Sequence, residues 1–107
     1  MEPSFGRLKM SVFAKRLKEI RLEAGLTQDQ LGVLAGMEEA TSSSRMNHYE
    51  KGRHQPDYSL VERLATALEV PEGYFYTKDD DEALLLKLFH RLSSHSKNDI
   101  LQKIKQK

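Results

Sequence analysis

The polar side chains between Ser42 and Gly52, "SSSRMNHYEKG", are the short stretch of this sequence that is most suggestive of chemistry. They supply hydroxyl, amide, imidazole and guanidinium groups, which can form hydrogen bonds with the edges of DNA bases. A helix is predicted over residues 43–51, with Thr41 or Ser42 as its N-cap and Gly52 just past its end. On a helical wheel one side carries four residues: Ser42, Met46, Tyr49 and Glu50. The other side carries Ser44, Asn47, His48 and Lys51, with Ser43 and Arg45 at its margins.

Two interpretations of this outer face are open from the residues alone. Solvated helix faces usually carry Glu–Lys pairs and strong helix formers, whereas this one carries Ser, Asn and His. The face is therefore either an ordinary solvated surface or a surface that reads DNA. Net charge is only +1, but residues 1–25 carry six Lys and Arg against three Asp and Glu, which weakly favours a polyanionic partner.

Catalysis and cofactor binding are not expected. The chain has no cysteine, its four histidines fall in no metal-ligand spacing, and it has no glycine-rich phosphate loop. The acidic run at residues 79–81 is typical of a solvated hinge rather than a cation site. We therefore predict no enzyme activity, no metal, no cofactor and no small-molecule ligand.

A cytoplasmic location is expected. The longest apolar run, "ALLL" at residues 83–86, is too short to span a membrane, and the N-terminus lacks the apolar segment of a secretory signal. The absence of cysteine suits a reducing compartment.

Apolar periodicity predicts an all-α fold. Residues 1–10 are interpreted as a flexible arm. A first helix is predicted from Ser11 as N-cap to Gly25, and its apolar positions are Phe13, Leu17, Ile20 and Ala24. A second starts at Gln28 after the capping box of Thr27 and Gln30, and its apolar positions are Leu31, Leu34 and Ala35. A fourth follows Asp57, with apolar positions at Leu60, Val61, Leu64, Ala65 and Leu68, and "VPEGYFY" forms a fifth that turns Tyr74 and Phe75 inward.

Residues 78–107 are predicted to form a C-terminal helical extension of a sixth helix and a short seventh, the latter capped by Ser96. Its apolar residues exceed what one small bundle needs, so we predict that they form a homodimer interface. An alternative, that they fold back and enlarge the core, remains open. The predicted dimerisation residues are Leu84, Leu85, Leu88, Phe89, Leu92, Ile100, Leu101 and Ile104.

Several motifs in order resemble the lambda-repressor-like (Xre-type) helix-turn-helix family. They are "RLKEIR", "GLTQDQLG", "YEKG" and the apolar pattern of the fourth helix, and the resemblance covers about residues 11–75. It implies a compact five-helix DNA-binding domain, here residues 11–77. It also implies sequence-specific binding of double-stranded DNA, with the polar helix in the major groove.

The resemblance also implies roles for individual residues. The positions matching base-edge contacts are Ser43, Ser44, Asn47 and His48, and Arg45 reaches either a base or a phosphate. The positions matching phosphate contacts are Gln28, Lys51, Arg53, His54 and Gln55. Arg21 and Glu50 match an internal ion pair.

One departure from the family concerns the turn before the polar helix. The predicted turn, "GMEEAT" at residues 36–41, is longer than the three or four residues typical of the motif. Its carboxylates, Glu38 and Glu39, would repel a phosphate backbone. Either they point away from DNA, or the polar helix begins earlier than residue 43.

The function predicted from these observations is that of a transcriptional regulator, a repressor that binds a palindromic operator as a dimer. The alternative is an antitoxin or anti-repressor that uses this fold mainly to hold a second protein. Binding to a defined palindrome favours the first, and co-purification with a second protein favours the other.

Overall fold

The apolar periodicity of the sequence is expressed as helices in the computed structural model, which describes the backbone of residues 5–107 and the side chains of residues 12–107. Within these residues there is no β-strand, which confirms the predicted all-α fold. The elements in chain order are α1 (Phe5–Glu23), α2 (Gln28–Leu34), α3 (Glu39–Glu50), α4 (Tyr58–Leu68), a 3₁₀ helix (Glu72–Tyr76), α5 (Asp80–His90) and α6 (Ser94–Lys105).

The core is formed by the apolar faces of α1 to α4, closed by the 3₁₀ helix. Leu17 and Ile20 of α1 are almost fully buried, and Phe13 stacks at a tilt on Phe75 with 5.1 Å between ring centroids. The five predicted core positions of α4 are all buried: Leu60, Val61, Leu64, Ala65 and Leu68. Burial of each large apolar side chain contributes about 1.5–3 kcal/mol. Leu31 of α2 and Met46 and Tyr49 of α3 belong to this same core, which therefore fixes the positions of both helices.

Two predicted core positions lie outside it. Leu34 is 62% exposed, because Leu31 and Ala35 are four residues apart and occupy the buried side of α2. A residue three positions after Leu31 falls beyond the other edge of that face. Ala24 is exposed because α1 ends at Glu23, where the chain turns away through Gly25 in the left-handed conformation (φ 73°).

The turn between α2 and α3 is shorter than predicted and spans residues 35–38. Gly36 adopts a left-handed conformation (φ 88°), and the Met37 N–H donates to the Gly32 carbonyl at 2.9 Å. These features reverse the chain within a few residues, so α3 begins at Glu39. The prediction that this helix starts near residue 43, with Thr41 or Ser42 as its N-cap, is wrong. The N-cap is Glu38, whose side chain makes no capping hydrogen bond and so leaves no capping signal in the sequence.

Two other predicted helix starts differ from the structure. Residues 1–4 of the predicted arm lie outside the described residues, and α1 already begins at Phe5, so Ser11 lies within α1 instead of capping it. The N-cap of α6 is Ser93, whose hydroxyl accepts from the Ser96 N–H at 3.1 Å, so the assignment of the cap to Ser96 is also wrong. Clustered serines offer several cap-like positions, and spacing alone does not choose among them.

Polar contacts fasten α5 to the rest of the molecule. Glu23 of α1 pairs with Lys87 and lies 3.6 Å from Arg91, and Arg91 donates to the carbonyl of Glu69 at 3.0 Å. The hydrogen bond from Lys87 holds the pKa of Glu23 below its usual value. Ala83 is the buried residue of α5. These contacts seat α5 while leaving most of its apolar side chains outside the core.

By contrast, α6 extends away from the rest of the molecule. None of its residues is buried, and it makes no extensive contact with another element. The radius of gyration is 15.3 Å, larger than the about 13 Å expected for a compact domain of about 100 residues. In the described part of the chain, no helix combines the length and apolar character needed to cross a membrane.

Candidate nucleic-acid interface

The outer face of α3 is a continuous polar surface. Ser43, Ser44 and Arg45 are exposed, and Asn47 and His48 are half-buried. Because α3 begins at Glu39, these residues lie in its middle and last turns rather than at its start. Of the two acidic residues, Glu38 is therefore the N-cap and Glu39 lies in the extra first turn. The side chains predicted to meet bases form a surface of hydroxyl, amide, imidazole and guanidinium groups.

The inner face of α3 is fixed by close packing against α2. Met46 is fully buried and Tyr49 nearly so. Ser42, also fully buried, donates its hydroxyl proton to the carboxylate of Asp29 in α2. The helices approach so closely at Gly32 that a Cβ there would lie 2.6 Å from the Ser42 Cβ. This contact fixes the angle at which the outer face is presented.

A nearly buried ion pair ties α3 to α1. The guanidinium of Arg21 donates to both carboxylate oxygens of Glu50, with 3.0 Å between Nη2 and Oε1. The two side chains are 9% and 3% exposed. Arg21 also donates to the carbonyl of Leu26 at 2.9 Å, so the pair fixes the loop before α2 as well. The predicted pair between these two residues is therefore present.

Gln28 continues this network toward the outer face. Its amide nitrogen donates to Asn47 Oδ1 at 3.2 Å and to Glu50 Oε1 at 3.1 Å. The first residue of α2 is thus linked to a predicted base-contacting residue of α3. Both amide protons of Gln28 are used, so a bond from its side chain to a phosphate would replace one of these bonds.

The loop after α3 returns alongside it. Gly52 adopts a left-handed conformation (φ 71°), and Arg53, His54 and Gln55 are all exposed. The imidazole of His54 stacks on that of His48, with 4.9 Å between ring centroids and 25° between planes. Residues predicted to contact phosphate and residues predicted to contact bases are therefore neighbours on one surface.

Arg45 and Lys51 border this surface. Arg45 Nη2 donates to the Tyr49 hydroxyl at 3.2 Å, so its guanidinium leans along α3 while staying exposed. Lys51 is exposed at the end of the helix. The two cations therefore lie at opposite ends of the half-buried pair Asn47 and His48.

Besides Arg91, the C-cap of α5, two arginines with structural roles were not identified from the sequence. Arg16, 4% exposed, donates to the carbonyls of Thr77 and Lys78 and to Asp80 Oδ1, each at 2.9 Å. Its spacing from Phe13 and Ile20, three residues after one and four before the other, places it on the buried face and could have signalled this role. Arg63 of α4 donates to the Ala35 carbonyl at 2.7 Å, at the end of α2.

None of the predicted dimerisation residues in the C-terminal extension is buried. Leu84, Leu85 and Leu88 are 47%, 55% and 51% exposed. The exposed residues of α6 in this set are Leu101 and Ile104, and the half-buried residues of the set are Phe89, Leu92 and Ile100. The alternative, in which these side chains fold back into the core, does not hold for the three leucines of α5, because they are exposed.

The described side chains include no group of three or more His, Cys, Asp or Glu residues that could hold a metal ion. What the surface around α3 offers is hydrogen-bond donors and acceptors together with cations. Such groups bind a polar, negatively charged partner through complementary contacts.

Comparison with known proteins identifies the class of fold. Residues 12–73, more than half of the chain, match the helix-turn-helix domain family. The protein therefore belongs to this family. Among solved structures it is similar to one described as the crystal structure of transcriptional regulator BswR, with a TM-score of 0.82 and 40% sequence identity. The similarity covers 88% of this chain and 93% of that one. No curated protein matches the chain. Family and fold together support DNA binding.

Proposed function

We propose that the protein is a transcriptional regulator of the lambda-repressor-like (Xre-type) class, a repressor that binds a palindromic operator as a homodimer. The observation that carries this proposal is the polar outer face of α3, anchored by the buried Met46 and bordered by the exposed loop at Arg53. The similar solved structure is described as a transcriptional regulator, which supports the regulatory role. The same proposal places the protein in the cytoplasm.

In this proposal the residues divide by the part of DNA that they contact. Side chains in the middle of α3 meet base edges in the major groove, because a helix fits there and each base pair presents a distinct pattern of donors and acceptors. These base-contacting residues are Ser43, Ser44, Arg45, Asn47 and His48. Residues around the rim meet the backbone, where a cation or amide contacts phosphate whatever the sequence. These are Gln28, Lys51, Arg53, His54 and Gln55.

The division of the chain into residues 11–77 for DNA binding and 78–107 for dimerisation belongs to the same proposal. One recognition helix reads only a few base pairs, and proteins of this kind reach longer sites by pairing. The exposed leucines of α5 and the exposed apolar residues of α6 support pairing through the extension, since an apolar surface of this kind is unusual on a monomer.

A second candidate rests on that same apolar surface. An antitoxin or anti-repressor would cover the leucines of α5 with a different protein instead of a second copy. In that case a partner would co-purify in fixed stoichiometry, and DNA of defined sequence would bind weakly or not at all.

The proposed function is tested by selecting bound duplexes from a random DNA pool with the purified full chain. Affinities for the selected site and for a scrambled duplex are then compared by fluorescence anisotropy at one fixed salt concentration. We expect the selected site to bind at least about 10³-fold more tightly, as specific sites do. Equal affinities would rule out a sequence-specific regulator.

A further inference from the structure

The C-terminal extension has opposite charges at its two ends. The first turn of α5 carries Asp80, Asp81 and Glu82, and the last turn of α6 carries Lys103 and Lys105. Asp80 is held by Arg16. Among the described side chains, Asp81, Glu82, Lys103 and Lys105 take part in no ion pair.

The chain does not bring these charges together by its own folding. In a closed hairpin, the start of α5 and the end of α6 would lie side by side. Here α6 makes no extensive contact with α5, and none of its residues is buried. One contact between the two is the ammonium of Lys97 over the Phe89 ring, 5.8 Å from its centroid, near the connection between the helices. The basic end of α6 is thus presented away from its own acidic helix.

We propose that α6 of each chain packs antiparallel on α5 of a second copy, so that the lysines at its end meet Asp81 and Glu82 of that copy. This inference rests on the proposed homodimer and specifies how it forms. Two such contacts, related by a twofold axis, make the interface self-complementary.

The spacing of apolar side chains fits this orientation. At 1.5 Å per residue, Leu84 and Leu88 lie about 6 Å apart along α5, and Leu101 and Ile104 about 4.5 Å apart along α6. Antiparallel pairing sets Ile104 against Leu84 and Leu101 against Leu88. Lys105 then extends past Leu84 toward the acidic turn. The helix dipoles add to the preference, because the negative end of α6 meets the positive end of α5.

Charge also opposes the parallel arrangement. With α5 and α6 parallel, the end of α6 would face the end of α5, where Lys87 and Arg91 lie. Lysines would then face cations, and like charges brought together across an interface cost several kcal/mol. Asp99, in the first half of α6, lies nearer that basic end only in the antiparallel arrangement.

The test uses two full-length double variants, Asp81→Lys/Glu82→Lys and Lys103→Glu/Lys105→Glu. Each alone places like charges at both contacts of the dimer, and we expect its dimer dissociation constant to rise at least about tenfold in sedimentation at low salt. An equimolar mixture restores opposite charges at both contacts, so it should dimerise as the wild type does. Glu62→Lys, an exposed charge change on α4, is the control and should leave dimerisation unchanged.

The outcomes separate the inference from the proposed dimer. If wild type is monomeric at tens of micromolar, both are wrong. If wild type dimerises and both double variants dimerise equally well, the dimer stands and this pairing is wrong. A single chain that carries all four changes is also measured. If it dimerises as the wild type does while the mixture does not, the charges meet within one chain, and the proposed packing of α6 on α5 of a second copy is wrong. Circular dichroism spectra matching the wild type establish that the variants are folded.

Discussion

At the scale of single residues, His48 lies in the last turn of α3, two residues before Glu50. Its assignment as a base contact therefore depends less than that of the serines on where the helix begins. Replacement by alanine removes a hydrogen-bonding imidazole from the proposed groove face. We expect a loss of about 1–3 kcal/mol at the selected site and relaxed preference at one base position. Anisotropy titrations against single-base variants of the site measure both. A loss of equal size on every duplex would move His48 to the phosphate backbone.

Arg53 belongs to the same scale but has a different expected signature. It is exposed in the loop after α3, so its proposed contact is with phosphate alone. Arg53→Ala should weaken binding about equally on all sequences and reduce the slope of log affinity against log salt by about one. Arg53→Lys, which keeps the charge, is the matched control and should keep the slope. If alanine leaves the slope intact, Arg53 lies outside the interface.

At the scale of elements, the close approach of α2 and α3 fixes how the reading surface is presented. A Cβ at Gly32 would lie 2.6 Å from the Ser42 Cβ and 3.3 Å from the Met37 sulfur. We expect Gly32→Ala to lower the free energy of unfolding by about 1–3 kcal/mol, because a core side chain and backbone must shift. Gly73→Ala, where a Cβ meets nothing within 4 Å, is the control. Equal urea midpoints for the two variants would show that the helices separate freely.

The attachment of α5 should weaken in acid. The pKa of Glu23 is lowered mainly by the hydrogen bond from Lys87, and that of Asp80 mainly by the hydrogen bond from Arg16. A lowered folded-state pKa contributes stability above the unfolded value, and that stability is lost as pH falls through the folded value. The melting temperature should therefore fall below about pH 4, and by less in Glu23→Gln/Asp80→Asn. Because both carboxylates are largely exposed, the difference should be small. Glu62→Gln, at an exposed position on α4, is the control, and identical pH profiles for all variants would contradict the role of these pairs.

Elements with strong periodicity could be predicted from the sequence, and those set by tertiary contacts could not. The buried face of α4 and the anchors Met46 and Tyr49 follow from helical spacing, and they are buried in the structure. The start of α3 depends on the burial of Met37 and a cap without a side-chain bond, neither of which has a local signal. Arg16 is similar, because three of its partners, Thr77, Lys78 and Asp80, lie more than sixty residues away along the chain.

For the surface around α3 as well, the sequence predicted which residues lie on it but not the contacts between them. Residue types and spacing identified its outer face, but the link from Gln28 to Asn47 and the stacking of His48 on His54 join different elements. Such contacts depend on how α2 and the loop after α3 pack, which periodicity does not specify. The ion pair of Arg21 and Glu50 was expected because a family pattern supplied the pairing.

At the scale of the whole molecule, the protein combines a small body with a buried core and a tail whose last helix has no buried residue. The body holds α3 by a buried ion pair and close helix packing, while α6 extends without a core of its own. In the proposed dimer the tails join two bodies, and each body places one α3 in the major groove. The two reading helices must then lie about one turn of DNA apart, or about 34 Å.

The most direct test of the central claim is to map where α3 lies on DNA. The chain has no cysteine, so Thr41→Cys, exposed on α3 and outside the proposed contacts, can carry a single DNA-cleaving iron chelate. On the selected duplex we predict cleavage in two symmetric groups about 10 base pairs apart, centred on the half-sites. The same chelate on Thr66→Cys, exposed on α4, should cleave weakly and elsewhere. Cleavage from Thr66→Cys at the half-sites, with none from Thr41→Cys, would contradict the assignment of α3 as the helix that reads DNA.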